Sequence, residues 1–309
     1  MFTIISQAFN RTAQNWKMVL TVFFINLLLG LILARPAYTT LKSESQQSLE
    51  FDKLVPDFDF TVLIDFLNKS SSALTPFWTL GIILSLVYLI LNVFFAGGIL
   101  TQFAQRGTFR LMDFFKNSAQ YFGKFLLVFL LEVAVILAIL IFSIILLGIF
   151  IIAADGSTEP MYMAWLTPPF LIIGFLLTVV LNIGNYAKVI LFKNITLNAW
   201  DGFWKATNYI FQNFKTMRIY WAIILIAVIF LLVYLFLESA IGMTSGFKIF
   251  IMFIIQQVFI FGRVFLKMWT LSGAFEYLSL KPIPIPIQPP VQVIEADDDS
   301  ENIENKLSE

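Results

Sequence analysis

Two ionisable residues stand inside otherwise apolar runs. Glu132 lies eight residues beyond Lys124, and Arg263 lies four residues before Lys267. Helical rise puts Glu132 about 12 Å inside its run, and counting back from Lys267 puts Arg263 in the same layer. Asn92, Asn182 and Asn185 fall in that layer too. Polar groups surrounded by hydrocarbon are costly and mark function by default. Two arrangements fit these residues. In one, Glu132 pairs with Arg263 and the amides cross-link helices, a structural network. In the other, Asn92, Glu132, Asn182, Asn185 and Arg263 line a cavity open to the cytoplasm. There the charges would hold a zwitterionic or anionic head group or relay a proton.

Other chemistry is poorly provided for. The chain has no histidine and no cysteine. The commonest general base and metal ligand are therefore missing, along with every thiolate, disulfide and cysteine-based metal site. No phosphate-cradling glycine loop, zinc spacing or nucleophile elbow occurs. The one dense acidic group, EFDKLVPDFDFTVLID at 50–65, alternates carboxylates with apolar residues, as an amphipathic external segment does. Twenty basic residues balance twenty acidic ones, which gives no reason to expect a nucleic-acid partner. The expectation is a non-enzyme with no cofactor and no bound metal.

The elements that must position these residues are membrane helices. Hydrophobic residues make up 59% of the 309 and charged residues 13%. The apolar residues form uninterrupted runs long enough to cross hydrocarbon as helices. The pattern predicts an all-α polytopic protein with spans at about 18–34, 77–99, 125–152, 166–190, 219–237 and 249–271. The first span is read as retained rather than cleaved, because its apolar core is long and LARPA at 33–37 is a poor small-x-small site. The third run, 125–154, would be about 45 Å long against a hydrocarbon core of about 30 Å. Residues 1–280 form the transmembrane domain. Residues 281–309 form a tail, in which PIPIPIQPPVQ suits polyproline II and the acidic remainder suits disorder.

Basic residues orient the spans. Arg106, Arg110, Lys116 and Lys124 lie in the second connection, and Lys188, Lys193, Lys205, Lys215 and Arg218 in the fourth. The connection at 153–164 has only Asp155 and Glu159, and 238–248 has only Lys248. The positive-inside rule then places both termini in the cytoplasm of an inner-membrane protein. The lipid bilayer is the expected partner, with anionic lipid attracted to the cytoplasmic basic faces.

A repeated pattern precedes the odd spans. Phe2, Ile5, Phe9, Ala13 and Trp16 fall at helical spacing, as do Met112, Phe115, Ala119 and Phe122. Before the fifth span the series is Trp200, Phe203, Trp204, Thr207, Phe211 and Phe214. Each series faces a polar, mostly basic or amide side, the pattern of a helix lying in the interface plane. AQNWK at 13–17 returns as AQYFGK at 119–124, each opening a long apolar run. The spans thus read as three parallel hairpin repeats, each preceded by a cytoplasmic interfacial helix. Asn198 and Asp201 have the spacing of a capping box for the third such helix.

With this layout, FFAGGIL at 94–100 and NAWDGFWKATNYIFQNFK at 198–215, the chain resembles the YciC-like six-span bacterial membrane proteins. It is similar as well to the related membrane domain fused to some glycerophosphodiester phosphodiesterases. Where relatives carry a Pro-Gly-Ile turn near the middle spans, this chain has TPPF at 167–170. The resemblance implies a fold and brings no catalytic residue, since the soluble phosphodiesterase barrel and its metal-binding carboxylates are absent. It leaves three readings: an envelope or membrane-homeostasis protein, a transporter or lipid-handling protein, and a membrane-embedded lipid enzyme.

Overall fold

The computed structural model describes residues 1–45, 60–69, 71–105, 107–241 and 245–282. Most of the 281–309 tail, most of the acidic 50–65 stretch and Arg106 lie outside the described residues. Among the described residues all regular structure is helical: α1 (Phe2–Gln14), α2 (Trp16–Ser45), α3 (Phe60–Lys69), α4 (Ser71–Ala104), α5 (Leu111–Ala153), α6 (Glu159–Lys193), α7 (Ala199–Gln212), α8 (Lys215–Ile241) and α9 (Gly246–Leu280). Six of these, α2, α4, α5, α6, α8 and α9, are long and apolar enough to cross a membrane. They coincide with the six expected spans and extend beyond them, because nothing in the flanking sequence stops a helix. TPPF, for example, lies inside α6, which runs through Pro168 and Pro169.

The spanning helices form a ring in chain order. α2 packs on α4, α4 on α5 and α5 on α6; α6 meets α9 more extensively than it meets α8, α8 packs on α9, and α9 closes the circle against α2. Glycines set the closest approaches. A side chain at Gly97 or Gly98 would press into α5 at Phe114, Asn117 and Ser118, and one at Gly262 would meet Phe230 of α8. These glycines are packing positions inside continuous helices. Gly156, at φ +75°, closes the turn between α5 and α6.

The buried core is gathered at one end of the ring. It draws on Met18, Val19 and Val22 of α2, Phe95 to Phe103 of α4, Ile183 to Leu191 of α6 and Val264 to Leu278 of α9. Beyond it the helices present exposed leucines, isoleucines and phenylalanines, as at Leu137, Ile144, Leu171, Leu232 and Phe250. This core end also carries Arg11, Lys116, Lys124, Lys193 and Lys205, and is called here the basic end. Both the N-terminal helix and the end of α9 belong to it. Ile5 accepts a hydrogen bond from the Trp269 indole through its carbonyl (3.0 Å), and Ala8 accepts from Ser272 (3.1 Å). Arg11 reaches Glu276 (2.5 Å). These pairs ascend together along both chains, so α1 runs alongside the last turns of α9.

The three segments before the odd spans take different forms. Asn15 interrupts the helix between α1 and α2, and Asn213 interrupts it between α7 and α8. The surrounding sequences are QNWK and QNFK, and each asparagine side chain bonds the carbonyl four residues back. In the middle segment Tyr121 replaces asparagine, and 111–124 continues without a break into the 43-residue α5. Its aromatic face packs on α4, with Phe115 and Phe122 against Phe94. Asn198 is the N-cap of α7, but its side chain makes no capping hydrogen bond, so the expected capping box is not formed.

Candidate functional site

A cavity of about 640 Å³ occupies the centre of the ring. All six spanning helices contribute to its wall, and polar side chains girdle it: Asn26 of α2, Asn92 of α4, Glu132 of α5, Asn185 and Lys188 of α6, Tyr220 of α8, and Arg263 and Lys267 of α9. Four of the five residues singled out from the sequence therefore converge here. Asn182 does not. It is buried one turn from Asn185, and its amide donates to the Met217 sulfur at 3.1 Å, joining α6 to α8.

The expected Glu132–Arg263 pair is corrected by the geometry. Glu132 is buried and accepts from Lys188 Nζ at 3.1 Å. Lys188 reads as a residue of the basic connection because charge alone marks it. The helix continues to Lys193, however, so Lys188 stays within a span and its side chain turns inward. Gly184, one turn before Lys188, lets α5 approach: a β-carbon there would overlap the Glu132 carboxylate. The ion pair and the glycine form one contact between α5 and α6.

Arg263 faces the cavity beside Phe259, its guanidinium 5.9 Å from the ring centroid. Lys267 reaches across to α4. Its Nζ donates to Asn92 Oδ1 at 2.5 Å and lies 5.8 Å from the centre of the Tyr88 ring. Among the described residues no carboxylate pairs with Arg263 or Lys267. The girdle therefore holds three cations and one carboxylate. Such charges are uncommon in spanning helices, and an uncompensated surplus is costly there.

The cavity does not open toward the basic end. Asn92 lies about 18 Å from the end of α4 and Lys267 about 20 Å from the end of α9. The intervening turns are packed, with Leu100, Phe103, Ser272 and Ala274 all buried. Exposure rises in the other direction, through Tyr88, Leu89 and Leu181 on the cavity wall. Toward the basic end, α1 and the ends of α4 and α9 fill the space beyond the cavity.

A second polar cluster braces that floor. Arg11 joins Glu276, donates to the Phe103 carbonyl at the end of α4, and lies 5.0 Å from the centre of the Phe275 ring. Lys193 lies 5.2 Å from that ring and donates to Ser279. Nearby, Tyr209 of α7 donates to the Lys281 carbonyl at 2.7 Å, and its ring packs tilted against Tyr186 and edge-on to Tyr277. Burial and the neighbouring Tyr277 raise the Tyr209 phenol well above its ordinary range.

No family model, curated protein or solved structure matches this chain. Asn26, Lys188, Tyr220 and Lys267 are the site residues that sequence reasoning missed. The helical register of α9 held the signal for one of them. Arg263 and Lys267 are four residues apart and therefore share a face.

Proposed function

We propose that this chain is a non-enzymatic protein of the bacterial cytoplasmic membrane, acting in envelope or membrane homeostasis by binding a lipid head group within its ring. The observation that carries this reading is the charged girdle: three cations and one carboxylate around a 640 Å³ cavity between spanning helices. Cavities of this size suit small-molecule binding, and basic pockets between membrane helices suit lipid head groups. The girdle favours lipid handling over a purely structural network, since a network would leave Arg263 and Asn185 with polar partners and neither has one among the described residues.

The orientation we favour has both termini in the cytoplasm, supported by the clustering of basic residues with α1 and the end of α9. The pairings of α2 with α4, α5 with α6 and α8 with α9 are those that three parallel hairpin repeats would make. Exposed Phe2, Trp200, Trp204 and Phe211 at the basic end support interfacial faces on α1 and α7, whose other sides dock on the spanning helices.

Mass spectrometry of the full chain purified in mild detergent tests this reading. Wild type should carry lipid, and Lys267→Gln should carry less at unchanged expression. Protein that never retains lipid, or a Lys267→Gln variant that loses only stability, would leave the girdle a structural network.

A further inference from the structure

The charge of the girdle selects among lipids. Of the three N–H donors of Lys267, Asn92 takes one, and Lys188 has two left beside its bond to Glu132. The five donors of Arg263 bond to nothing among the described residues. Asn185 and Asn26 also line the cavity without a protein partner among the described residues. The free charged capacity is thus all donor capacity, while the two amides can donate or accept, and it comes from several helices. A zwitterionic head group would need a second anion for its ammonium, yet the one carboxylate on the wall is engaged by Lys188. The Tyr88 ring, one aromatic surface of the wall, already faces Lys267.

The cavity is also polarised along its axis. Its floor toward the basic end is packed. Its open side is walled by Leu89, Leu181, Ile260 and the Tyr88 ring. An amphiphile in it has one sensible orientation: head group at the girdle, chains leaving away from the basic end.

We infer that the ring binds an anionic phospholipid, its phosphate held by Arg263 and Lys267 and its acyl chains passing out along the Leu89–Leu181 wall. This rests on the head-group reading above and narrows it. Arg263 supplies a planar fork that matches phosphate oxygens, and Lys267 supplies a point charge from one turn further along the same face. Lys188, its charge balanced by Glu132, adds two further N–H donors. The orientation is that of a lipid in the leaflet nearest the basic end.

The full chain in detergent would be incubated with vesicles of phosphatidylcholine, or of phosphatidylcholine and phosphatidylglycerol in equal parts, then re-isolated for native mass spectrometry. Phosphatidylglycerol should be retained in preference to phosphatidylcholine. Arg263→Gln and Lys267→Gln should each reduce its retention by about tenfold, the scale of one charge-assisted contact. Arg263→Lys and Lys267→Arg, which keep the charge, should retain most of it even if the glutamine variants fold poorly. Lys205→Gln on α7 should behave as wild type. Equal retention of both lipids would overturn the anionic assignment while leaving head-group binding intact. Retention of neither would remove both. Stabilisation by inorganic phosphate alone, with no lipid retained, would make the ligand a free anion and overturn the lipid assignment.

Discussion

Glu132 shows how much a single residue's meaning depends on its partner. Its carboxylate is buried against Gly184 and bonded to Lys188. Removing one member of a buried pair strands the other charge, at a cost of about 3 kcal/mol, whereas replacing both can be close to neutral. Glu132→Gln and Lys188→Met should therefore each lower the melting temperature of the purified protein, and the double variant should recover most of the loss. Gly184→Ala should resemble the single variants, since its methyl group displaces the carboxylate. Gly148→Ala, where a β-carbon meets nothing within 4 Å, should leave melting unchanged. A double variant no more stable than either single one would show that the two residues act separately.

Helix α7 illustrates the element scale. Ala199, Gly202, Phe203, Ala206, Tyr209 and Ile210 are buried, while Trp200, Trp204 and Phe211 on the other face are exposed. Small residues allow the docked face to approach α6, where Gly202 lies against Leu191. Tyr209 then ties α7 to the end of α9 through Lys281. Its phenol is held protonated in the fold beyond its ordinary value of 10.0. The linkage sign follows. The unfolded tyrosine ionises first, so the stability tied to the protonated form is complete below about pH 10 and declines as pH climbs past it. Alkaline melting curves should show this decline in wild type and less of it in Tyr209→Phe. Identical alkaline slopes would mean that the phenol does not couple α7 to α9.

The whole molecule is a ring sealed at one end. Packing of α1 on α9, the Arg11–Glu276 pair and the convergence of α4, α6 and α9 make the basic end nearly solid. Packing is sparse at the other end, where apolar side chains remain exposed. This asymmetry gives the cavity a floor and an opening. Reporter fusions check the topology proposed for it: a fusion at residue 160 should report the external side and one at residue 205 the cytoplasmic side. A cytoplasmic report at 160 would invert the charge argument, and with it the leaflet assigned to the lipid.

Hydropathy alone determined the six spanning helices, because crossing hydrocarbon demands a long unbroken apolar run that no other element needs. The polar layer was legible for the same reason: Asn92, Glu132, Asn185 and Arg263 stand out only because everything around them is apolar. Tertiary structure decided the pairing. Lys188 sits near a helix end, where sequence reads a lysine as a topology signal, and only the length of α6 and its packing on α5 turn it onto Glu132. Packing likewise decided the direction of opening. Periodicity reports which face of a helix is apolar, but not whether lipid or a neighbouring helix covers it. Docking of α1 along α9, and continuity of 111–124 with α5 where QNWK and QNFK break, depend on contacts between residues up to 265 positions apart.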